Sequence, residues 1–150
     1  IAALERAIEG LRAETAVHIC YGYGIKANTE WKASLGSEWR QYEESFPLLQ
    51  QSGIDIISLE CHNSRVPIDL IELVRGKKVM IGAIDVANEE IETPEEVAAT
   101  LRRALRFVDA DKLLPSTNCG MAPFPRDIAL AKLSALSAGT RIVREELSSA

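Results

Sequence analysis

Four short runs of nearly uninterrupted apolar residues, each giving way to a loop and then to a helical pattern, constrain the fold of this chain more than any other feature. They are Thr15-Ala16-Val17-His18-Ile19-Cys20, Ile54 to Glu60, Lys78 to Asp85, and a run ending near Thr117. Uniformly apolar runs mark strands covered on both faces, and amphipathic helices between them mark crossover connections. Together these imply a parallel sheet with right-handed crossovers. A helix carrying Leu4, Ile8 and Leu11 precedes the first strand, so the predicted order is one helix followed by four βα units.

The intervening segments differ in how clearly they declare themselves. Residues 21–37 have no clean period and read as one long functional loop. Trp39, Tyr42 and Phe46 form a helical stripe expected to end or kink near Pro47. Pro67 opens a helix with Ile68, Ile71 and Val74 inward and Gly76 as its stop. Thr93-Pro94-Glu95-Glu96 is a strong helix start, with Thr as N-cap, Pro at the first position and Glu at the third, and Val97, Leu101, Leu105 and Val108 follow as its buried stripe. A last long helix from about Arg126 carries Ile128, Leu133, Leu136 and Ile142. The chain begins at Ile1 inside a helical pattern, which implies that sequence precedes it.

Composition removes whole classes of partner. A net charge of -5 with no dense basic cluster excludes nucleic-acid and anionic-membrane binding as the main task. No apolar stretch reaches the roughly 18 residues of a spanning helix, and the first residues lack the pattern of a secretory signal, so a cytoplasmic location and a small-molecule substrate are expected. Three cysteines, an odd number, read as thiols rather than a disulfide framework.

His18 and Cys20 are two residues apart on a strand, which turns both side chains to one face. Imidazole and thiolate together suit zinc. Glu60 and Cys119 also stand where an apolar run meets a loop, as does Asp85. No Gly-x-Gly-x-x-Gly or Gly-x-x-x-x-Gly-Lys element follows any strand, since Gly22 and Gly24 lack a third glycine, and the nucleotide-binding versions of a doubly wound sheet lose their support. A β/α barrel instead brings the C-terminal strand ends to a single site. Four units make half of such a barrel. Each assignment has a plainer competitor: His18 as a core histidine, Cys20 and Cys119 as buried small residues, Asp85 as a cap or surface carboxylate. Cys61 follows Glu60 directly and points to the opposite face, so Cys61 and His62 are read as structural. Trp31 and Trp39 are read as loop packing, and Lys26 and Arg65 as solvated charge.

His18-Ile19-Cys20, Leu59-Glu60 and Asn118-Cys119-Gly120-Met121, in this order at strand ends, resemble the zinc-binding elements of the catalytic barrel of cobalamin-independent methionine synthases. The resemblance spans residues 1–150 as one unit and corresponds to the C-terminal half of the (β/α)8 barrel, with the N-terminal half outside this chain. The loop Tyr21-Gly22-Tyr23-Gly24-Ile25-Lys26 with Trp31 and Trp39 is similar to the short, single-barrel members. It implies zinc held by His18, Cys20, Glu60 and Cys119, homocysteine as methyl acceptor, and methyltetrahydrofolate or a methylated corrinoid as donor. Two thiolates and a carboxylate would leave the zinc site near a charge of -1, suited to activating a sulfur nucleophile. In the folate-using long enzymes an Asp-x-His element supplies a proton; here the matching segment is Asp85-Val86-Ala87, in which Ala87 cannot move a proton, and Asp85 is a candidate catalytic residue that would orient a ligand histidine or the substrate amine. Two alternatives share parts of this reading: a zinc methyltransferase for another thiol of the coenzyme M kind, and a non-catalytic barrel remnant with a closed structural zinc.

Overall fold

The computed structural model describes residues 1–23 and 25–149; Gly24, part of the loop noted above, lies outside them. Helix α1 (Ala2–Ile8) leads to strand β1 (Ala16–Val17), and helices α2 (Lys26–Ser34) and α3 (Tyr42–Gln50) connect it to β2 (Ile56–Glu60). A 3-10 segment (Ile68–Val74) precedes β3 (Lys78–Gly82), helix α4 (Pro94–Ala104) precedes β4 (Leu113–Ser116), and the long helix α5 (Arg126–Ser149) ends the chain. All pairings are parallel and the spatial order is β1-β2-β3-β4, the same as the chain order. A doubly wound sheet requires a reversal of strand order. Its absence, combined with right-handed crossovers, puts every connection on one face of the sheet, as in one wall of a barrel.

The helix-facing side of that wall is the core. Ile57, Leu59, Val79 and Ile81 are all at most 1% exposed, packed with Phe46, Leu49, Leu70, Val74, Val97 and Leu101. Each such side chain contributes about 1.5–3 kcal/mol through burial. The opposite face carries Ser58 and Glu60 beside Met80 and Gly82, as the register Ser58↔Met80 and Glu60↔Gly82 dictates.

The helix start at Thr93 forms as a full capping box, Glu96 N donating to Thr93 Oγ1 at 3.2 Å and Thr93 N to Glu96 Oε2 at 2.7 Å. Gly76 ends the 3-10 segment at φ +90°, a conformation that an L side chain resists. Other expectations are corrected. Residues 21–37 contain helix α2, which buries none of its residues and therefore has no apolar stripe to read. Helix α3 starts at Tyr42, after Trp39, and runs through Pro47 because Phe46 and Leu49 on either side are anchored in the core. The segment after Pro67 is 3-10 rather than α, and Leu11, Leu105 and Val108 fall outside their helices. In α5 the buried stripe is Lys132, Ala135, Gly139 and Val143, while Leu133 is exposed. Small residues win that face because α5 lies against α4: a Cβ on Gly139 would stand 2.5 Å from Pro94 O and from Val97 Cβ. Among the described residues no helix is long and apolar enough to cross a membrane.

Candidate metal centre

Strand β1 stops at Val17, so His18 and Cys20 sit on the extended segment that leaves the sheet. The pairing Ala16↔Ile56 puts Ala16 on the face that carries Ser58 and Glu60, and continuing that alternation turns His18 toward Ser58. His18 Nδ1 lies 2.8 Å from Ser58 Oγ, which also accepts the Ile19 N–H at 3.3 Å. The tautomer in which Nδ1–H donates to Ser58 leaves the Nε2 lone pair free for a metal.

Cys20 Sγ and Cys119 Sγ are 3.6 Å apart, from loops that follow β1 and β4. The pair is unbridged, and the spacing is far beyond a disulfide bond. It is close to the roughly 3.8 Å expected between two sulfurs each 2.3 Å from one tetrahedral zinc. The candidate ligand atoms of His18, Cys20 and Cys119 all lie within 4.8 Å of one another. Two soft thiols and an imidazole so disposed fit zinc on donor chemistry and on spacing. Burial, opposed in part by a hydrogen bond from Gly22 and reinforced by Cys119 and Glu60, pushes the Cys20 thiol up to about 11. A metal ion at this point would have to displace that proton.

Glu60, at the end of β2, is 2% exposed and its carboxylate stands outside the three-residue cluster. Its Oε1 accepts the Tyr21 N–H at 3.0 Å and its Oε2 accepts the Tyr23 hydroxyl at 2.5 Å. The Tyr42 hydroxyl lies 3.5 Å from Oε1 but 3.0 Å from Ile19 O, its better acceptor. Burial first, and Glu60 beside them, raise the Tyr23 and Tyr42 hydroxyls above the ordinary tyrosine range, which keeps both protonated as donors.

Asp85 is buried beyond the end of β3 and is fully engaged in its own loop. It accepts Ala87 N and Asn88 Nδ2, each at 2.8 Å, while its own N–H goes to Glu92 Oε1 at 2.8 Å. Cys61 faces the core, where burial pushes its thiol to about 12, and His62 Nδ1 lies 3.3 Å from Thr100 Oγ1. Trp31 and Trp39 pack on Tyr21 at centroid distances of 5.6 and 5.0 Å. Arg65 donates to Gly36 O at 2.8 Å, and Lys26 pairs with Glu30 in solvent.

Several residues that hold the site or the neighbouring loops have roles that a reading of the sequence does not assign. Ser58 is hidden inside an apolar strand. Asn118, 2% exposed, ties the Cys119 loop to the end of β2: its Oδ1 accepts Cys61 N at 3.2 Å and His62 N at 3.4 Å, and its Nδ2 donates to His62 O at 2.7 Å. Gly82 makes room for it, since a Cβ there would stand 2.8 Å from Asn118 Cα. Lys132 of α5 is wholly buried, pairs with Glu92 at 3.1 Å, and donates to the carbonyls of Asp85 and Glu90. A cavity of about 520 Å³ beside Gly76, Lys77 and Phe107 lies at the other end of the strands and holds none of these groups. In a barrel that end carries stability rather than chemistry.

Comparison with known proteins gives a consistent result. The family described as cobalamin-independent synthase, catalytic domain, matches residues 3–141. A methionine synthase of Sulfurisphaera tokodaii is 32% identical over 148 residues, covering 98% of this chain and 38% of that protein. One from Saccharolobus islandicus is 32% identical over 150 residues, covering 98% and 40%. A solved structure, a B12-independent methionine synthase from Shewanella sp. W3-18-1 in complex with selenomethionine, superposes with a TM-score of 0.95 at 72% identity, covering 99% of this chain and 44% of that one. The chain thus spans less than half the length of these relatives, and its four-stranded parallel sheet matches part of a TIM barrel.

Proposed function

The chain belongs to the family of cobalamin-independent methionine synthases, and from that premise we propose that it is the C-terminal half of a catalytic barrel that transfers a methyl group to the thiol of homocysteine. The observation that carries the proposal is the convergence of His18, Cys20 and Cys119, from loops after β1 and β4, to within 4.8 Å. The remaining half of the barrel would pair with the open edges of β1 and β4 and cover the face that carries Ser58 and Glu60.

His18, Cys20 and Cys119 would hold zinc, with Glu60 next to them as the fourth candidate ligand. Zinc, when bound there, supplies the means to keep the acceptor sulfur deprotonated and nucleophilic at neutral pH. The residues of the chain do the rest. Ser58 fixes the imidazole of His18 through Nδ1, and Asn118 fixes the loop of Cys119 against the end of β2. Tyr21 N–H and the Tyr23 hydroxyl hold the Glu60 charge in place. Asp85 shapes the loop after β3 through Ala87 and Asn88. In the transfer the S–CH3 bond forms as the bond from methyl to donor breaks, and the donor keeps the electron pair. Holding acceptor and donor in line supplies much of the rate.

Two donors fit. The cobalamin independence in the family description, and the B12 independence stated for the Shewanella protein, support methyltetrahydrofolate as one donor. Its departing nitrogen needs a proton, and Ala87, exposed and aliphatic, has none to give. A methylated corrinoid leaves without needing a proton, and Ala87 favours that donor. The test is methionine formation by the protein carrying both barrel halves, loaded with zinc and given homocysteine and each donor in turn. Methionine from either donor supports the proposal and identifies the donor. Methylation of coenzyme M in place of homocysteine, or of neither thiol, overturns it.

A further inference from the structure

Resting on that reading, we propose that Tyr23 is a positioning residue that takes up the Glu60 carboxylate when the acceptor thiol occupies the fourth metal position. Glu60 is buried, and among the described residues no Lys or Arg forms an ion pair with it. A buried carboxylate without a cation must be held by hydrogen-bond donors. Among the described residues two serve Glu60 well, the backbone N–H of Tyr21 on Oε1 and the hydroxyl of Tyr23 on Oε2 at 2.5 Å. The Tyr42 hydroxyl is committed to Ile19 O. In this arrangement the three other donors already cluster without Glu60. Three protein ligands with a fourth position left for substrate is the pattern of a catalytic zinc site rather than a structural one.

The hydroxyl that makes this possible is itself held. Lys32 Nζ, from α2, lies 4.7 Å from the centroid of the Tyr23 ring and donates to Gly22 O at 2.7 Å, fixing both the ring and the backbone just before it. Glu60 therefore has two places to put its charge, the metal and the Tyr23 hydroxyl. Tyr23 sets how readily the first is given up for the second.

The test uses the protein carrying both barrel halves, with zinc X-ray absorption recorded during a homocysteine titration and zinc affinity measured by chelator competition. In Tyr23→Phe the released carboxylate loses its acceptor site, so the homocysteine needed to bring an additional sulfur to zinc should rise about tenfold or more. Zinc itself should stay bound as tightly as before or more tightly, since nothing then competes with the metal for Glu60. In a Glu60→Gln background, where there is no charge to store, Tyr23→Phe should change the homocysteine midpoint little. That cycle also separates the proposal from a simple folding defect, which would weaken zinc binding in both backgrounds. If wild-type zinc gains a sulfur and Tyr23→Phe gains it at the same homocysteine concentration, or if the variant loses zinc, the role of Tyr23 is overturned while the methyltransferase reading stands. If wild-type zinc never gains a sulfur, both are overturned.

Discussion

The Lys132–Glu92 pair offers a quantitative test of how the loop after β3 is held. Lys132 Nζ is wholly buried, sits 3.1 and 3.2 Å from the two Glu92 oxygens, and donates to the carbonyls of Asp85 and Glu90. Glu92 is also the acceptor for Asp85 N–H. One ammonium thus gathers a carboxylate and two backbone oxygens of the loop from Asp85 to Glu92 and fastens them to α5. Lys132→Met keeps the volume but strands a buried carboxylate, at a cost of about 3–5 kcal/mol. Against a total stability of about 5–15 kcal/mol this is a large fraction. Adding Glu92→Gln removes the stranded charge and keeps an acceptor for Asp85 N–H. The double variant should therefore be more stable than Lys132→Met, even though it still leaves the two carbonyls without a donor, at about 1–3 kcal/mol each. In the wild-type background Glu92→Gln should destabilise, because it leaves the buried ammonium without its counter-charge. The sign of the same substitution reverses between backgrounds. Guanidinium denaturation midpoints, compared at constant slope, measure all four proteins. A cost below about 1 kcal/mol for Lys132→Met, or a Glu92→Gln effect of equal sign in both backgrounds, would refute the reasoning.

Two further predictions test the packing and the metal centre. Gly139→Ala gains about 1 kcal/mol of helix propensity, but its Cβ would press on Pro94 O and Val97 at 2.5 Å. The overpacking costs about 1–3 kcal/mol, so the melting temperature should fall, and a rise would mean that α4 and α5 can separate freely. Ser58→Ala removes the partner of His18 Nδ1 and should weaken zinc binding about 10–100-fold in chelator competition, with the fold unchanged by circular dichroism; unaltered affinity would mean that Ser58 does not orient the imidazole.

Much of this architecture is legible in the residues, for identifiable reasons. The runs ending at Glu60 and Asp85 are legible because their helix-facing positions Ile57, Leu59, Val79 and Ile81 are buried apolar residues, and the Thr93 start is legible because its capping is local. The strand order β1-β2-β3-β4 is not contained in the strand-helix alternation, which a doubly wound sheet shares, and is seen only in the fold. What hides is whatever carries no apolar period. Helix α2 buries nothing, and the buried stripe of α5 consists of a lysine, small residues and one valine, so Leu133 looks like the inward position although it is exposed. The pairing of His18 with Cys20 shows in their spacing, whereas the approach of Cys119 depends on four strands lying side by side in order. The cradle around Glu60 is harder still, since a backbone N–H and a tyrosine in an aperiodic loop look like ordinary packing until the sheet brings them to one carboxylate.

The central claim is that His18, Cys20 and Cys119 form a zinc centre open to a thiol, and zinc X-ray absorption on the protein carrying both barrel halves tests it most directly. The account predicts zinc bound by two sulfurs and one imidazole with a light-atom ligand, changing to three sulfurs when homocysteine is added. A protein that binds no zinc, or a zinc shell that ignores homocysteine, would contradict it.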